Sequence, residues 1–578
     1  MFIVVIASKK LTKFISVRMA TRSRRTAAEI AQLLIANVDS DESGSDEENE
    51  NELIYNPSPP VSDEEENAVE REGPIESESM TRGEASELQF TSSDGTHWTQ
   101  MEIGSVTERG RAPVRNIVRH KPGVTRFILN RVDNEEDIFI ELLGRDNIRR
   151  ILDFTRAEAR QQENHEFEIS ENDLFAFFGL CIIRGVLQGK NQPLSSFWSQ
   201  EYGINVFKET MSRNRFKEIK RYIRFDDKTT RSERRGTNKF AAIQELWESV
   251  LERCGDAFLP GQHTTIDEQL FPCKCRCPFL QYISTKPDKF GIKFWFICDV
   301  DKKYVLNAVP YTGKDEQRDP RVSVPEAVVM NLTKPYTNSG ISVTTDNFFT
   351  SSSLAKHLSQ RNITLLGTIR QNRREIPKEI AQSLASKRIP VHSSAFFKSE
   401  NQILAVYKAK ATKTVLVLST EHKTAKVDKN DPKKKPEIIT KYNNTKYGVD
   451  TADQMLRLYS TKCASRRWPL AVFFNLLDIL CLNSWILAKE MNMRSARTRR
   501  EFLLHIGKLL CAKAPTRKRP PHFNISTLRS QALQSGSSEE RTRCQACNSN
   551  KTKVTCCACQ KFVCGKCSSP LCNSCISS

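Results

Sequence analysis

The stretch HTTIDEQLFPCKCRCPFLQYISTKPDKFGIKFWFICDVD, residues 263–301, decides how the chain folds. It begins with β-branched residues around Asp267, bends at two prolines, and continues in a second apolar run over residues 290–300. Short runs rich in Ile, Phe, Trp and Val between Pro, Gly and Asp predict a strand, a turn and a second strand. An aspartate inside a strand is unusual, because Asp is a poor strand former and is costly to bury unpaired. A metal ion bound to Asp267 would explain it, and Glu268 would then point to the opposite face.

The segments that follow predict a mixed α/β sheet. Its further elements are a third strand at 302–311, a helix at 324–332, a fourth strand at 341–346, a helix at 353–360 and a fifth strand at 363–369. This order is that of a ribonuclease H-like α/β domain, in which three antiparallel strands are followed by parallel strands through helical crossovers. The fourth strand of such a sheet lies beside the first, so we expect Asp346 next to Asp267.

Composition divides the rest of the chain into regions. Residues 36–110 are rich in Ser, Glu, Asp, Pro and Gly, and 39–88 hold 18 acidic residues against two basic ones. We therefore predict that residues 1–112 are a disordered, acidic N-terminal region. Helical spacing of apolar residues predicts a helical region over 113–258. The remaining predicted regions are the sheet domain at 259–372 and 442–492, an inserted β region with a basic loop at 373–441, a basic linker at 493–540 and a Cys-rich tail at 541–578.

The charge of the chain is uneven. The net charge is +19 over 578 residues, so the chain outside the acidic stretch carries about +35. A basic body with an acidic segment is common among nucleic-acid-binding proteins, although solvated Lys and Arg faces would also produce it. We find no run of 18 apolar residues and therefore expect no membrane span.

Aspartates on separate segments could meet over the predicted sheet. Asp450 and Asp453 are three residues apart, so on a helix they share one face. Carboxylate oxygens suit Mg²⁺ or Mn²⁺, and two such ions roughly 3.5–4 Å apart support phosphoryl transfer on DNA. Spacing alone leaves an alternative open, in which Asp450 is an N-cap, Asp346 a turn residue and Asp267 a salt-bridge partner.

Several motifs of the chain resemble those of the piggyBac family of DNA transposases and the piggyBac-derived proteins of animal genomes. They are TIDEQL at 265–270, TTDNFFTS at 344–351, YNNTKYGVDTADQM at 442–455, RRWPLAVFFNLLDILCLNS at 466–484 and MSRNRF at 211–216. The resemblance implies that Asp267, Asp346 and Asp450 are catalytic carboxylates that bind Mg²⁺ or Mn²⁺. It also implies that Asp453 is a further acid of this site and that the helical region serves dimerisation and DNA binding.

The same resemblance implies cut-and-paste transposition. Transposon ends would be nicked, the freed 3′-hydroxyl would form a hairpin with the opposite strand, and the opened ends would be joined at TTAA targets. The expected partners are double-stranded DNA and a second copy of the chain, with no small-molecule cofactor, in the nucleus. A domesticated DNA-binding chromatin protein without transposition activity is the alternative.

Further residues are candidates for contact with DNA: Arg466, Arg467, Trp468, Arg517, Lys518 and Arg519. Trp468 could stack on a flipped or hairpin base, although a Trp before Pro at a helix start is as often part of a core. The basic runs RSARTRR and TRKRPP suit nuclear import and DNA phosphates, and a solvated linker is the alternative.

The tail holds four Cys-x-x-Cys pairs, a spacing that predicts two Cys₄ zinc sites. We expect a cross-brace, because four-residue gaps between the later pairs leave little room for sequential sites. The first Zn²⁺ would be bound by Cys544, Cys547, Cys564 and Cys567, and the second by Cys556, Cys559, Cys572 and Cys575. Cys557 is the spare thiol. The tail also resembles the piggyBac C-terminal domain that binds transposon ends, and a ubiquitin-ligase or histone-reading role is the alternative.

Overall fold

The computed structural model describes residues 88–106, 117–284, 286, 288–313, 319, 321–493, 498–514, 542–545, 547, 549–553 and 562–564. The chain divides into two compact units, Met1–Ala514 and Pro515–Ser578. The described part of the second unit contains one hairpin, formed by β14 (Thr542–Arg543) and β15 (Lys551–Thr552).

The described strands of the first unit are β1 (Gln89–Thr91), β2 (His97–Met101), β3 (Gly123–Val124), β4 (Phe258–Leu259), β5 (His263–Pro272), β6 (Gln281–Tyr282), β7 (Phe290–Asp299), β8 (Val305–Pro310), β9 (Ser342–Thr345), β10 (Thr364–Thr368), β11 (Ser394–Ser399), β12 (Gln402–Lys410) and β13 (Lys413–Ser419). Its described α-helices are α1 (Arg126–Leu129), α2 (Glu135–Leu143), α3 (Arg145–Gln161), α4 (Glu171–Val186), α5 (Asn205–Thr210), α6 (Arg213–Tyr222), α7 (Arg231–Thr237), α8 (Gln244–Ala257), α9 (Val324–Leu332), α10 (Ser352–Gln360), α11 (Lys378–Gln382), α12 (Glu437–Thr445), α13 (Gly448–Leu458), α14 (Trp468–Glu490) and α15 (Arg499–Ala512).

One mixed sheet of eleven strands forms the centre of the first unit. Its strand order is β1-β2-β11-β12-β13-β10-β9-β5-β7-β6, and β8 also pairs with β7. Strand β5 is antiparallel to β7 and parallel to β9, and β9 is parallel to β10. The predicted order of the five strands is therefore confirmed, with the fourth strand beside the first. Strand β7 is buried along almost its whole length, because helices cover both faces of a central strand in such a sheet.

The predicted inserted β region is part of this sheet and forms no separate layer. Strand β13 is antiparallel to β10, with Gly367 opposite Leu418, and β12 and β11 continue the sheet outward. The sequence predicted a β region here, but it did not show that the strand ending the ribonuclease H-like pattern has a free edge to which β13 and β12 can add.

The prediction that residues 1–112 are disordered is wrong for residues 88–106. Strands β1 and β2 form a hairpin, and β2 pairs with β11. Trp98 is fully buried, and its indole Nε1 donates a hydrogen bond to the Glu375 carbonyl at 2.8 Å. Phe90 packs edge-on against Phe397 with ring centroids 5.7 Å apart. A few large apolar residues within this stretch are sufficient to attach it, although the average composition of the region hides them.

The predicted basic linker at 493–540 is also wrong in part, because α15 packs in the first unit. Thr498 caps the helix, accepting a hydrogen bond from the Glu501 amide at 3.2 Å. A Cβ on Gly179 of α4 would lie 2.6 Å from the Gly507 carbonyl oxygen of α15, so glycine permits this close contact between helices. The buried face of α15 consists of Phe502, Leu503, Ile506, Gly507, Leu510 and Cys511.

Helix α14 is long and apolar enough by length and composition to cross a membrane, although Asn475, Asp478 and Asn483 interrupt its apolar run. The protein buries 94% of its most apolar 18-residue window. Buried polar side chains along it bind other elements of the first unit. Asn483 exchanges two hydrogen bonds with the Val305 backbone of β8, at 2.9 and 3.0 Å. These contacts identify α14 as a core helix of the sheet domain.

We predict that Trp98→Ala lowers the free energy of unfolding by about 3–5 kcal/mol, because it leaves a cavity and an unpaired Glu375 carbonyl. Urea unfolding followed by circular dichroism measures the change. Leu88→Ala is the matched control, since Leu88 is 52% exposed in the same hairpin region. Equal effects of the two substitutions would contradict the packing of this hairpin against the sheet.

Candidate active site

The pairing of β5 with β9 brings the first two predicted acids together. Ile266 lies opposite Thr345 in the parallel register. Asp267 follows Ile266 and Asp346 follows Thr345. The two aspartates therefore lie side by side at the same edge of the sheet. Glu268 points to the other face, where it forms an ion pair with Lys293 of β7. Asp267 is thus the acidic residue of β5 on the face toward α13, because successive side chains of a strand point to opposite faces.

Threonines and one glycine hold α13 against this edge. Thr265 donates a hydrogen bond to the Thr445 carbonyl at 2.5 Å, and Thr344 donates one to the Thr445 hydroxyl at 2.8 Å. A Cβ on Gly448 would lie 2.7 Å from the Thr265 hydroxyl oxygen. Only glycine therefore allows the start of α13 to approach β5 this closely, and the approach places Asp450 in the first turn above the strand ends.

Asp267 is the acid whose pKa is affected by the negative charges of both other acids. Burial, followed by the negative charges of Asp346 and Asp450, raises the pKa of Asp267 to about 8. The Glu268 amide donates a hydrogen bond to Asp267 at 2.7 Å, which only partly offsets these effects. Among the described residues Asp267 forms no ion pair, whereas the neighbouring Glu268 pairs with Lys293, so the structure gives no support to the predicted alternative of a salt-bridge partner for Asp267.

The other two acids have distinct surroundings. Burial raises the pKa of Asp346, although the Phe348 and Phe349 amides donate hydrogen bonds to its carboxylate at 3.0 and 3.4 Å. Asp346 is therefore a turn residue as well as a neighbour of Asp267. Asp450 is exposed and does not cap its helix, since the N-cap residue of α13 is Tyr447. A first-turn acid is also favoured by the helix dipole.

The three aspartates are not all in mutual contact. Among the described residues, the ligand atoms of three or more acidic, His or Cys side chains lie within 4.8 Å of one another only in a cysteine group. Asp267, whose pKa is raised by the charges of both other acids, is the member that links them. Carboxylate oxygens grouped around it fit hard divalent cations such as Mg²⁺ or Mn²⁺, and the number of ions stays a prediction.

Asp453 has a different environment from Asp450, although both lie on α13. One carboxylate oxygen accepts a hydrogen bond from Gln269 at 2.9 Å, and the other accepts one from Arg457 at 2.8 Å. Asn475 of α14 in turn donates to Gln269 at 2.8 Å. Both oxygens are engaged with protein groups, so Asp453 supports strand β5 beside the site, and its assignment as a metal ligand stays a prediction.

Sequence reasoning missed basic side chains around the acids. Lys286 lies close enough to lower the pKa of Asp267 in opposition to burial, and Arg370 does so for Asp346. Arg370 also donates a hydrogen bond to Asn347 at 3.2 Å. Its position could have been found, because Arg370 follows β10 and the ends of adjacent parallel strands meet at one edge. Cations at this edge can bind the phosphates that the carboxylates would repel.

The residues predicted to contact DNA from the segment before α14 divide into two groups. Arg466 is exposed. Arg467 donates hydrogen bonds to the Lys220 and Ile223 carbonyls at the end of α6, which corrects its assignment to DNA. Trp468 stacks on Phe240 with ring centroids 5.7 Å apart and also packs against Phe279, so the core alternative describes it. Arg517, Lys518 and Arg519 lie outside the described residues.

The described cysteines of the tail form a cluster. The Sγ atoms of Cys544, Cys547 and Cys564 lie within 4.8 Å of one another, with 3.7 Å between Cys547 and Cys564. The backbone amide of Cys564 also donates to the Cys544 sulfur at 3.3 Å. Cys564 of the third Cys-x-x-Cys pair therefore lies beside both cysteines of the first pair, as the cross-brace predicts. The other predicted ligands lie outside the described residues: Cys556, Cys559, Cys567, Cys572 and Cys575.

Comparison with known proteins relates this chain to transposases. A family model described as Transposase IS4 matches residues 134–485. The chain is 24% identical over 370 residues to human PiggyBac transposable element-derived protein 3, a match that covers 61% of this chain and 60% of that protein. The human Chimeric ERCC6-PGBD3 protein is also 24% identical, with 34% of its length covered. The chain thus spans less than two thirds of either relative.

A solved structure gives a wider match. It is a cryo-EM structure of a piggyBac transposase synaptic complex with hairpin DNA. The match has a TM-score of 0.65 and 30% sequence identity, and it covers 79% of this chain and 100% of that chain. The mixed sheet and the helices packed on it are therefore a fold shared with a transposase.

We predict that Asp267→Asn stabilises the metal-free protein more at pH 8 than at pH 5. The folded-state pKa of Asp267 is about 8, above its unfolded value of about 3.9, so the wild type loses stability as pH rises between those values. Added Mg²⁺ should raise the melting temperature of the wild type and leave that of the variant unchanged. Scanning calorimetry with chelator and with Mg²⁺ measures both effects.

Asp146→Asn is the control for this experiment, because the Asp146 side chain is 81% exposed on α3. It should leave both the pH dependence and the response to Mg²⁺ as they are in the wild type. If Asp267→Asn were equally stabilising at both pH values, the electrostatic coupling of the three acids would be refuted.

Proposed function

Because this chain belongs to the piggyBac family of transposases, we propose that it cuts and joins DNA strands at a metal site formed by Asp267, Asp346 and Asp450. The single observation that carries the proposal is the position of Asp267, whose pKa is raised by burial and by the charges of the other two acids. Mutual repulsion of buried carboxylates is destabilising unless cations neutralise it. The proposed ions are Mg²⁺ or Mn²⁺, which prefer carboxylate oxygens.

The residues around the acids have separate roles in this proposal. Divalent cations bound there would activate the attacking water or 3′-hydroxyl and stabilise the leaving oxygen. Asp267 holds the centre of the site, while Asp346 and Asp450 approach it from β9 and α13. Lys286 and Arg370 lie beside the carboxylates and reduce the repulsion between the carboxylate charges and the DNA phosphates. Gln269 and Asp453 keep the end of β5 in place.

The proposed substrate is double-stranded DNA with transposon ends, cut and pasted at TTAA targets through hairpin intermediates. The similarity to a transposase solved as a synaptic complex with hairpin DNA supports this choice. The positive charge of the chain outside its acidic stretch supports it as well, because neutralised phosphates supply most of the affinity of such proteins. We further propose a homodimer in the nucleus, with Arg466, Arg517, Lys518 and Arg519 contributing to DNA contact.

A second candidate is a domesticated DNA-binding protein that keeps the fold without transposing. The names of the two human relatives favour it, since one is called element-derived and the other is called a chimeric protein. The acids at positions 267, 346 and 450 oppose it, because a chain that only binds DNA has no need to place repelling carboxylates beside one another. Strand cleavage in vitro separates the two candidates.

The tail is proposed to bind two Zn²⁺ ions. Thiolates in Cys-x-x-Cys pairs are the usual ligands of structural zinc, and the cluster of Cys544, Cys547 and Cys564 supports the pairing of the first and third pairs. We propose that the zinc-bound tail contacts transposon ends. A small segment with few large apolar residues gains its folding free energy from the metal, so its structure should depend on zinc.

We predict that the wild-type chain cuts DNA carrying its own flanking inverted repeats beside TTAA when Mg²⁺ is present. Asp267→Asn and Asp346→Asn should each lower the cleavage rate by on the order of 10³-fold, since several kcal/mol of transition-state stabilisation are lost. Cleavage is followed on end-labelled DNA in denaturing gels. Asp146→Asn should cut at the wild-type rate, and equal loss in this control would contradict the assignment of the site.

Zinc content provides a separate prediction for the tail. The wild type should contain about two zinc ions per chain by elemental analysis, because eight thiolates form two Cys₄ sites. Cys544→Ser should reduce this to about one, while Cys557→Ser should leave it unchanged, since Cys557 is outside the four pairs. An equal loss of zinc in both variants would contradict the proposed ligand sets.

A further inference from the structure

Three side chains form a row from the carboxylates to the solvent. Tyr442 of α12 is the inner member, with its hydroxyl 3.4 Å from the Thr368 hydroxyl of β10. Burial is the largest cause that raises its pKa to about 12, and the charges of Asp346 and Asp267 add to it. Tyr442 is therefore a neighbour of both candidate catalytic strands.

Lys446 connects this tyrosine to a second one. Its Nζ lies 5.7 Å from the ring centroid of Tyr442 and 4.7 Å from that of Tyr447. A cation at these distances from aromatic faces is attracted by the ring electrons. The ammonium group is thereby kept between the two rings, a short distance before Asp450 in the chain.

Tyr447 is the outer member of the row, and its ring has no evident part in the fold. The residue is 52% exposed, although it lies beside the buried start of α13. As the N-cap residue it uses its carbonyl, which accepts a hydrogen bond from the Thr451 amide at 3.0 Å, while its side chain makes no capping hydrogen bond. In the described part of the chain, the ring of Tyr447 contacts the Lys446 ammonium group.

Exposed aromatic residues are common on protein surfaces, and their position decides whether they have a role. An aromatic ring with a neighbouring cation is the arrangement that binds single-stranded nucleic acid, because the ring stacks on a base and the cation pairs with a phosphate. Trp468, the residue predicted for base stacking, instead packs against Phe240 and Phe279. Tyr447 and Lys446, beside Asp450, therefore provide the exposed ring and the neighbouring cation that Trp468 does not provide.

We propose that Tyr447 and Lys446 form a binding site for an unpaired nucleobase and its phosphate next to the carboxylates. The ring of Tyr447 stacks on the base, and Lys446 contacts the backbone of the same strand. Tyr442 supports Lys446 from the inside. This inference rests on the proposed function, since it takes DNA as the ligand, and it adds where an unstacked nucleotide lies during strand cutting and joining.

The test uses the full chain and a hairpin-ended DNA duplex with 2-aminopurine in the hairpin tip. Ca²⁺ replaces Mg²⁺ so that the DNA is not cut during the measurement. Stacking on Tyr447 should quench the fluorescence of 2-aminopurine in the wild type and in Tyr447→Phe, which keeps the ring. Tyr447→Ala should lose this quenching and bind the hairpin about 5- to 100-fold more weakly, with unchanged affinity for a blunt duplex.

Tyr202→Ala is the matched control, because Tyr202 is 78% exposed on another part of the first unit. It should quench and bind as the wild type does. Lys446→Ala should reduce the magnitude of the slope of log affinity against log salt by about 1, the value for one lost phosphate contact. Lys446→Arg should restore the wild-type slope. Wild-type quenching in Tyr447→Ala, or an equal loss of affinity for hairpin and blunt DNA, would overturn the inference.

The outcomes also separate this inference from the proposed function. If the wild type binds and quenches the hairpin probe but never cuts DNA with Mg²⁺, the nuclease proposal fails and the nucleobase site stands. If the wild type cuts DNA and Tyr447→Ala quenches like the wild type, only the nucleobase site fails. If the wild type binds no hairpin DNA at low salt, both are overturned.

Discussion

The parallel pairing of β5 with β9 is the constraint on which the rest of the first unit depends. With Ile266 opposite Thr345, the next two residues are both aspartates and both leave the sheet at one edge. A register shift by one residue would turn one of them to the opposite face. Because β5 is buried between β7 and β9 for most of its length, such a shift would also move Ile266 and its neighbours out of their present packing. Core packing and the position of the acids are therefore fixed by the same pairing.

The position of Asp450, the third acid, depends on small residues more than on apolar packing. Thr265, Thr344 and Thr445 connect the two strands to the segment between α12 and α13 by buried hydrogen bonds. Gly448 then lets the helix start contact Thr265, where any larger side chain would force α13 away from the sheet. Hydroxyl groups that are buried must be paired, so these threonines determine one arrangement of the loop.

The parts that could be predicted from the sequence are those determined by local patterns. The predicted helix at 324–332 and the strands around Asp267 agree with α9 and β5, because β-branched runs and helical spacing are visible in a single segment. The hairpin around Trp98 and the helix α15 were missed, since each lies in a stretch whose average composition is polar or basic and is attached by a few buried residues. Arg467 and Trp468 were assigned to DNA because no sequence pattern shows that a guanidinium pairs with distant helix carbonyls.

Asp450 and Asp453 show why the number of acids in a motif does not determine a metal site. Both are on α13, three residues apart. Arg457, one turn further along, pairs with Asp453 at 2.8 Å and also with Asp288 at 3.1 Å. A fourth unpaired carboxylate beside Asp267 would add to a repulsion that already raises its pKa. The pairing with Arg457 and Gln269 removes that repulsion, so the helix can contribute one acid to the site and use the other to hold β5.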